Sequence, residues 1–332
     1  VDALPAHFQV WLATNLLAGC SIDTVQAALV QAGVPAELAQ QELTLAQQHP
    51  YLAVARTLKA KLERRESLLK TLDGLQRQDP GYLRVERQPL PPYAEFLRRY
   101  FVPSRVGLFS GAIEHWAARH WTPRSLLEQV PAATPVEIQF DREQDPRYES
   151  NSARHKRELA FGDFIAMVEQ TRASNNFYLT ANNLALRNTA LGALLRDTAN
   201  LGDGYLDLRA QGGTHLWIGP SGVITPLHHD LTHNLFVQIH GRKRFRLIPA
   251  LQAPYMHNEL HVYSEVDLLA PQPDTYPQFA RTTAVEIEVG PGDLLFIPAG
   301  WWHHVSGLSP SISLSFTNLS GVANGFVDFP VA

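Results

Sequence analysis

The sequence predicts a mainly β protein, a jelly roll with flanking helices and an N-terminal helical region. Two patterns carry that expectation. From about residue 176, short stretches rich in β-branched and aromatic residues follow one another: FYLTA, HLWIG, NLFVQIHG, RFRLIP, AVEIEV, DLLFIP and SISLSFTNL. Turn residues part them at Gly219-Pro-Ser-Gly222, Gly241-Arg242, Gly290-Pro-Gly-Asp293 and Ala299-Gly300. Many short strands punctuated in this way argue for a sandwich or barrel, and about eight of them suit a jelly roll. Before residue 78 the apolar residues instead recur at helical spacing.

Taken in order, residues 1–78 read as helices. FQVWLATNLLAG ends on Gly19, and Ser21 opens a second helix that closes at Gly33. A third begins near Pro35 and stops before Pro50, and YLAVARTLKAKLERRESLLKTLDGLQRQ is long, amphipathic and of mixed charge. This region is either a bundle cap with a solvated face or an element for docking and homodimer formation. Residues 79–93, DPGYLRVERQPLPPY, have the Pro-rich polar composition of a linker. The domain 94–332 then starts with alternating elements: EFLRRYF as helix, VGLFSG as strand, SLLEQV as helix, VEIQFD as strand, the polar run DREQDPRYESNSARHKREL as an exposed loop, and FGDFIAMVEQT as helix.

Composition excludes several classes. With 332 residues, 45% hydrophobic and 18% charged, the chain is an ordinary globular protein of one or two domains. Its net charge of −4 gives no reason to expect nucleic acid as a partner. No run of about 18 apolar residues marks a membrane span. The single cysteine, Cys20, rules out an intrachain disulfide, fits a reducing, cytoplasmic setting, and reads as a small core residue.

The chemistry concentrates in ITPLHHDLTHNLFVQIH, residues 224–240. On a helix His229 and His233 would pair, but the flanks VITP and NLFVQI alternate as strands. On a strand His228 and Asp230 share a face and His229 turns away. A third ligand then comes from VGPGDLLFIPAGWWHHV, as His303 or His304. Two histidines and one carboxylate form the open facial triad of non-haem Fe(II) oxygenases. In GRKRFRLIP, Lys243 shares its face with Phe245 and Leu247 and so points inward. An inward lysine among apolar neighbours calls for an anion, while Arg244 and Arg246 point out.

These motifs, with FYLTANN (177–183) and EFLRRYFVPSRVGLFSGAIEHW (95–116), resemble the JmjC/cupin-8 family of Fe(II)- and 2-oxoglutarate-dependent oxygenases. Within that family they resemble the asparaginyl hydroxylase of the hypoxia-inducible factor. The likeness spans about 90–320 of this chain. It implies a double-stranded β-helix and a metal held by His228, Asp230 and His303, with His304 on the other face. It implies that Lys243, Tyr178 and Thr225 clamp the 5-carboxylate of 2-oxoglutarate and that Asn234 lies beside the metal and the 1-carboxylate. A further family asparagine falls on the last core strand, where alternation aligns Thr317 rather than Asn318. The implied cofactors are Fe(II), 2-oxoglutarate and O2. The implied reaction is hydroxylation of a C–H in a protein or peptide side chain, with N-methyl demethylation by the same chemistry as one alternative and a non-catalytic cupin-like metal-binding module as another.

Overall fold

The computed structural model describes residues 3–323 and 325, apart from 203 and 211. The chain divides into two compact units, the first ending at Gln76 and the second starting at Arg77. The first unit holds four helices: α1 (Ala6–Ala18), α2 (Ile22–Gln31), α3 (Ala36–Gln48) and α4 (Pro50–Gln76). Gly19, in the left-handed region at φ 90°, ends α1, and the Ser21 hydroxyl accepts from the Thr24 amide to cap α2. Leu12, Leu16, Val25, Leu29, Ala39, Leu43 and Leu52 form its core. Cys20 is exposed, contrary to the expectation of a core residue, because it falls in the turn just after that glycine cap. Along α4, Leu52 and Asp73 are buried, whereas Val54, Leu58, Leu62, Leu68, Leu72 and Leu75 are exposed. No helix among the described residues is long and apolar enough to cross a membrane.

Among the described residues the second unit has thirteen strands. They are β1 (Arg87–Pro89), β2 (Gly107–Ser110), β3 (Pro135–Phe140), β4 (Lys156–Ala160), β5 (Phe177–Tyr178), β6 (Thr214–Gly219), β7 (Ile224–His229), β8 (Asn234–His240), β9 (Lys243–Ile248), β10 (Val285–Val289), β11 (Leu294–Ile297), β12 (Trp302–Gly307) and β13 (Ser311–Phe316). A six-stranded sheet in the order β1-β2-β11-β8-β13-β6 faces a four-stranded sheet in the order β10-β9-β12-β7, which is the jelly roll. A small sheet, β4-β3-β5, and the helices α5 (Tyr93–Phe96) and α6 (Phe161–Gln170) flank it.

Alternation sorts the side chains into layers. Leu235, Val237, Leu294, Phe296, Ile312 and Leu314 leave the outer face of the large sheet and pack with Phe96, Phe161 and Phe164. Phe236, Phe245, Leu247, Ile287, Leu295 and Val305 fill the space between the two sheets. Leu227, Ile248 and Trp302 cover the outer face of the four-stranded sheet beneath Tyr255 and Met256.

Three segments differ from expectation. The linker 79–93 is not wholly irregular: Arg87–Pro89 pairs in parallel with β2, and the Arg87 guanidinium bonds both carboxylate oxygens of Asp293, at 2.8 and 2.9 Å. SLLEQV forms a 3-10 turn, Arg124–Glu128, instead of an α-helix, since Pro131 stops it before a stable nucleus can form. The polar run after β3 is not a simple exposed loop. Its last part is strand β4, and Arg142 and Glu149 within it are buried.

Candidate metal centre

Two ladders in the four-stranded sheet set the geometry. His303 on β12 pairs with His228 on β7 and with Leu247 on β9. Two residues further along, Val305 pairs with Thr225 and Phe245, and Gly307 pairs with Lys243. Between those rungs β7 uses three residues where β12 uses two, a β-bulge. Strict alternation from His228 would turn Thr225 to the opposite face. The extra residue brings it back, so His228, Thr225, His303 and Lys243 all face the interior of the jelly roll. Gly241, at φ 73°, makes the turn that starts β9 with Lys243, and an added Cβ there would collide with the Pro310 carbonyl oxygen.

Asp230 follows the end of β7 and completes the triad. His228, Asp230 and His303 each offer a ligand atom, all within 4.8 Å of one another. The His228 and His303 Nε2 atoms each lie 3.8 Å from an Asp230 oxygen, one on Oδ1 and the other on Oδ2. Each ring nitrogen Nδ1 is 2.8–3.0 Å from a main-chain carbonyl, Pro226 for His228 and Trp301 for His303. A carbonyl can only accept, so each Nδ1 carries a proton and Nε2 is the nitrogen left facing the shared centre.

The electrostatics favour the same ligand forms. Burial, and then the neighbouring His303, push His228 down to about 4, which keeps the imidazole neutral. Burial pushes the Asp230 carboxyl up, but His303, His228 and the Asn234 amide more than offset it and hold it below its ordinary value. Asn234 Nδ2 donates to Asp230 Oδ2 at 3.2 Å, while Asn234 Oδ1 is buried with no hydrogen-bond partner among the described residues. A neutral His228 next to His303, an ionised carboxylate and an unused amide oxygen alongside suit a divalent first-row metal of the Fe(II) type.

Lys243 lies two same-face rungs from His303 and is 1% exposed. Its Nζ donates to the Tyr178 hydroxyl at 2.8 Å and sits over the rings of Phe236, Tyr178 and Trp217 at 5.2–5.8 Å. No carboxylate pairs with it among the described residues, and burial lowers its pKa to about 7. Burial raises the Tyr178 phenol. Its ring packs so close to Gly219 that an added Cβ would come within 2.6 Å of it.

The other sequence candidates separate cleanly. Arg242, Arg244 and Arg246 turn outward and pair with Glu288 and Glu286. His304 is buried on the far face of β12, its Nε2 without a hydrogen-bond partner among the described residues, and His229 packs on Trp302 at 4.7 Å. His233 Nδ1 accepts from the Ala299 amide, and its ring packs on Phe101. The Thr317 hydroxyl donates to the Gly213 carbonyl at 3.3 Å and the Asn318 amide to the Asp207 carbonyl at 2.9 Å. Sequence reasoning missed the aromatic lining of Lys243 by Phe236 and Trp217, although the alternation of β8 and β6 was there to indicate it. It also missed Arg142, hidden in a polar run with no period.

A family model described as a cupin-like domain matches residues 93–317. Among curated proteins the chain is 28% identical over 232 residues to a frog protein (Xenopus tropicalis) named Lysine-specific demethylase 8, covering 68% of this chain and 51% of that one. It is 29% identical over 247 residues to Lysine-specific demethylase JMJ30 of Arabidopsis thaliana, covering 70% and 54%. It is 29% identical over 241 residues to Jumonji C domain-containing protein 5 of Drosophila melanogaster, covering 68% and 57%. The chain thus spans about half the length of these relatives.

Proposed function

The chain belongs to the cupin-like domain family, and on that premise we propose that it is an Fe(II)- and 2-oxoglutarate-dependent oxygenase acting on a side chain of a protein or peptide. The observation that carries the reading is one face of one sheet with an open His-Asp-His set at one end and, at the other, a buried lysine with no acidic partner among the described residues. His228, Asp230 and His303 would hold Fe(II), leaving positions for a co-substrate and for O2. When bound, the metal with 2-oxoglutarate and O2 supplies an oxidant able to insert oxygen into a C–H bond, and the co-substrate leaves as succinate and CO2.

The chain's own residues bind and orient. Lys243 pairs with the far carboxylate of 2-oxoglutarate in a charge-assisted hydrogen bond, strong because the site is dry. The Tyr178 and Thr225 hydroxyls supply further bonds to that carboxylate. Asn234 holds Asp230 by its amide nitrogen, and its buried amide oxygen has no hydrogen-bond partner among the described residues. Phe236 and Trp217 exclude water from around the lysine.

For the reaction itself we propose hydroxylation, which rests on the motif likeness to an asparaginyl hydroxylase. A second reading, N-methyl demethylation, is favoured by the names of two of the relatives, lysine-specific demethylases. Both begin with the same oxidation of a C–H bond. The test is succinate release from 2-oxoglutarate with Fe(II), comparing the native protein with Asp230→Ala. Equal background in both would sink the oxygenase reading. Mass spectrometry on a treated peptide library then separates the two outcomes: gain of one oxygen for hydroxylation, loss of a methyl group with release of formaldehyde for demethylation.

A further inference from the structure

Ile224 precedes Thr225 on β7, which is the edge strand of the four-stranded sheet. An edge strand presents main-chain groups with no ladder partner. Here side chains take them. The Ile224 amide donates to Asn175 Oδ1 at 2.8 Å, and the Ile224 carbonyl accepts from Arg142 Nη2 at 2.7 Å and from the Tyr148 hydroxyl at 3.1 Å. Arg142 is fully buried, and the same Nη2 also donates to Glu149 Oε1 at 2.8 Å. Its guanidinium lies 4.3 Å from the centre of the Tyr148 ring and 5.2 Å from that of Tyr178, whose hydroxyl meets Lys243. Nε and Nη1 have no hydrogen-bond partner among the described residues, so the cation leans on the two rings. A buried cation is costly to keep, yet this one touches both residues that supply the hydroxyls of the proposed carboxylate clamp: the ring of Tyr178 and the peptide group leading into Thr225. Glu149 balances its charge, so Lys243 stays the group that attracts the anion.

We infer that Arg142 is a positioning residue for 2-oxoglutarate: locked on Glu149, it holds the Tyr178 ring and the Ile224 carbonyl so that the Tyr178 and Thr225 hydroxyls are set for the far carboxylate before the co-substrate arrives. The inference rests on the proposed oxygenase function. It concerns affinity for the co-substrate and leaves the metal ligands alone.

The test uses the full chain with Mn(II) in place of Fe(II), so that binding is read by calorimetry without turnover. Arg142→Met should weaken 2-oxoglutarate about tenfold, the scale of one lost pre-set hydrogen bond, with Mn(II) affinity unchanged. In turnover, KM for 2-oxoglutarate should rise by a similar factor with kcat within about twofold. Arg142→Lys, which keeps the charge but not the planar fork, should fall between; it carries the same comparison if the methionine variant does not fold. Because Arg142 acts through Tyr178, adding Arg142→Met to Tyr178→Phe should cost less than the two single losses combined. Unchanged 2-oxoglutarate affinity, full additivity in that cycle, or equal losses for Mn(II) and 2-oxoglutarate would each overturn the inference. Failure of the native protein to bind 2-oxoglutarate at all would instead remove the functional reading on which it stands.

Discussion

Replacing Lys243 by methionine should make the ligand-free protein more stable and deaf to 2-oxoglutarate. The ammonium is 1% exposed, bonded to the Tyr178 hydroxyl and ringed by Phe236, Tyr178 and Trp217. Burial takes its pKa from 10.5 down to about 7. At 1.36 kcal/mol per tenfold change in proton affinity, holding the charged form inside the fold costs about 5 kcal/mol. In the unfolded chain the lysine keeps its proton up to about pH 10.5; in the folded chain it loses it above about 7. Between these values the unfolded state binds more protons, so this group's contribution to stability rises with pH. Below about 7 both states are protonated and the penalty is at its full, flat value. An unbranched methionine fills similar space without charge. After losing the bond to Tyr178, worth about 1 kcal/mol, the variant should gain about 4 kcal/mol at pH 6. The gain should shrink steadily above pH 7 and be nearly gone by about pH 10. Urea unfolding at a series of fixed pH values reads this directly. With Mn(II) present, 2-oxoglutarate at a hundred times its Kd should stabilise the native protein by about 2.7 kcal/mol and leave the variant unmoved. A variant less stable than native at pH 6, or a difference that stays constant from pH 6 to 9.5, would refute the argument that the lysine is kept charged at a cost for an anion.

Other expectations follow from the same geometry. Affinity for 2-oxoglutarate should fall by up to about tenfold per pH unit above about 7, because a neutral Lys243 must take up a proton to pair; calorimetry showing a flat affinity from pH 7 to 9 would contradict this. Asp230→Ala should abolish succinate release and weaken Mn(II) binding by at least about a hundredfold, as expected when one of three metal ligands is lost. Gly219→Ala places a Cβ 2.6 Å from the Tyr178 ring; it should displace that ring, weaken 2-oxoglutarate, and cost about 1–3 kcal/mol in unfolding experiments. Thr317→Val should leave 2-oxoglutarate affinity within about twofold, since losing one hydrogen bond to the Gly213 carbonyl affects the loop and not the clamp.

Much of the site was legible because period-two alternation survives in β8, β9 and β12. It placed Lys243 inward, Arg244 and Arg246 outward, and His303 and His304 on opposite faces. The helical reading of His229 and His233 failed on the same grounds, since neighbours such as Leu227 and Phe236 follow strand spacing. Thr225 was harder: it lies an odd number of residues from His228 and reaches the same face only through the bulge, which no sequence period announces. Its expected role came from the family likeness alone. Arg142 and Glu149 were not legible at all. They lie in DREQDPRYESNSARHKREL, whose polarity looks like solvent exposure, and only the tertiary fold reveals that Ile224, Tyr148 and Tyr178 enclose them. Strand β1 was masked by the prolines of its linker, an edge position where proline is tolerated.

The rung that sets His228 against His303 has an effect on how such a protein can change over time. The spacing of the two imidazoles is dictated by main-chain hydrogen bonds between adjacent strands, and a slip of one residue would turn every side chain on the strand to the wrong face. Most of the chain between those histidines that lies outside the strands falls in residues 249–284, joining β9 to β10. Lengthening such a connection is cheap, about 0.6 kcal/mol for each doubling. Tyr263 of that stretch reaches back to bridge with His228, so the segment meets the rim of the centre without supplying a ligand to it. On the proposed oxygenase reading, insertions there change what meets the rim while the ladder that spaces the metal ligands stays fixed, a separation of tool from address that is built into the order of the strands.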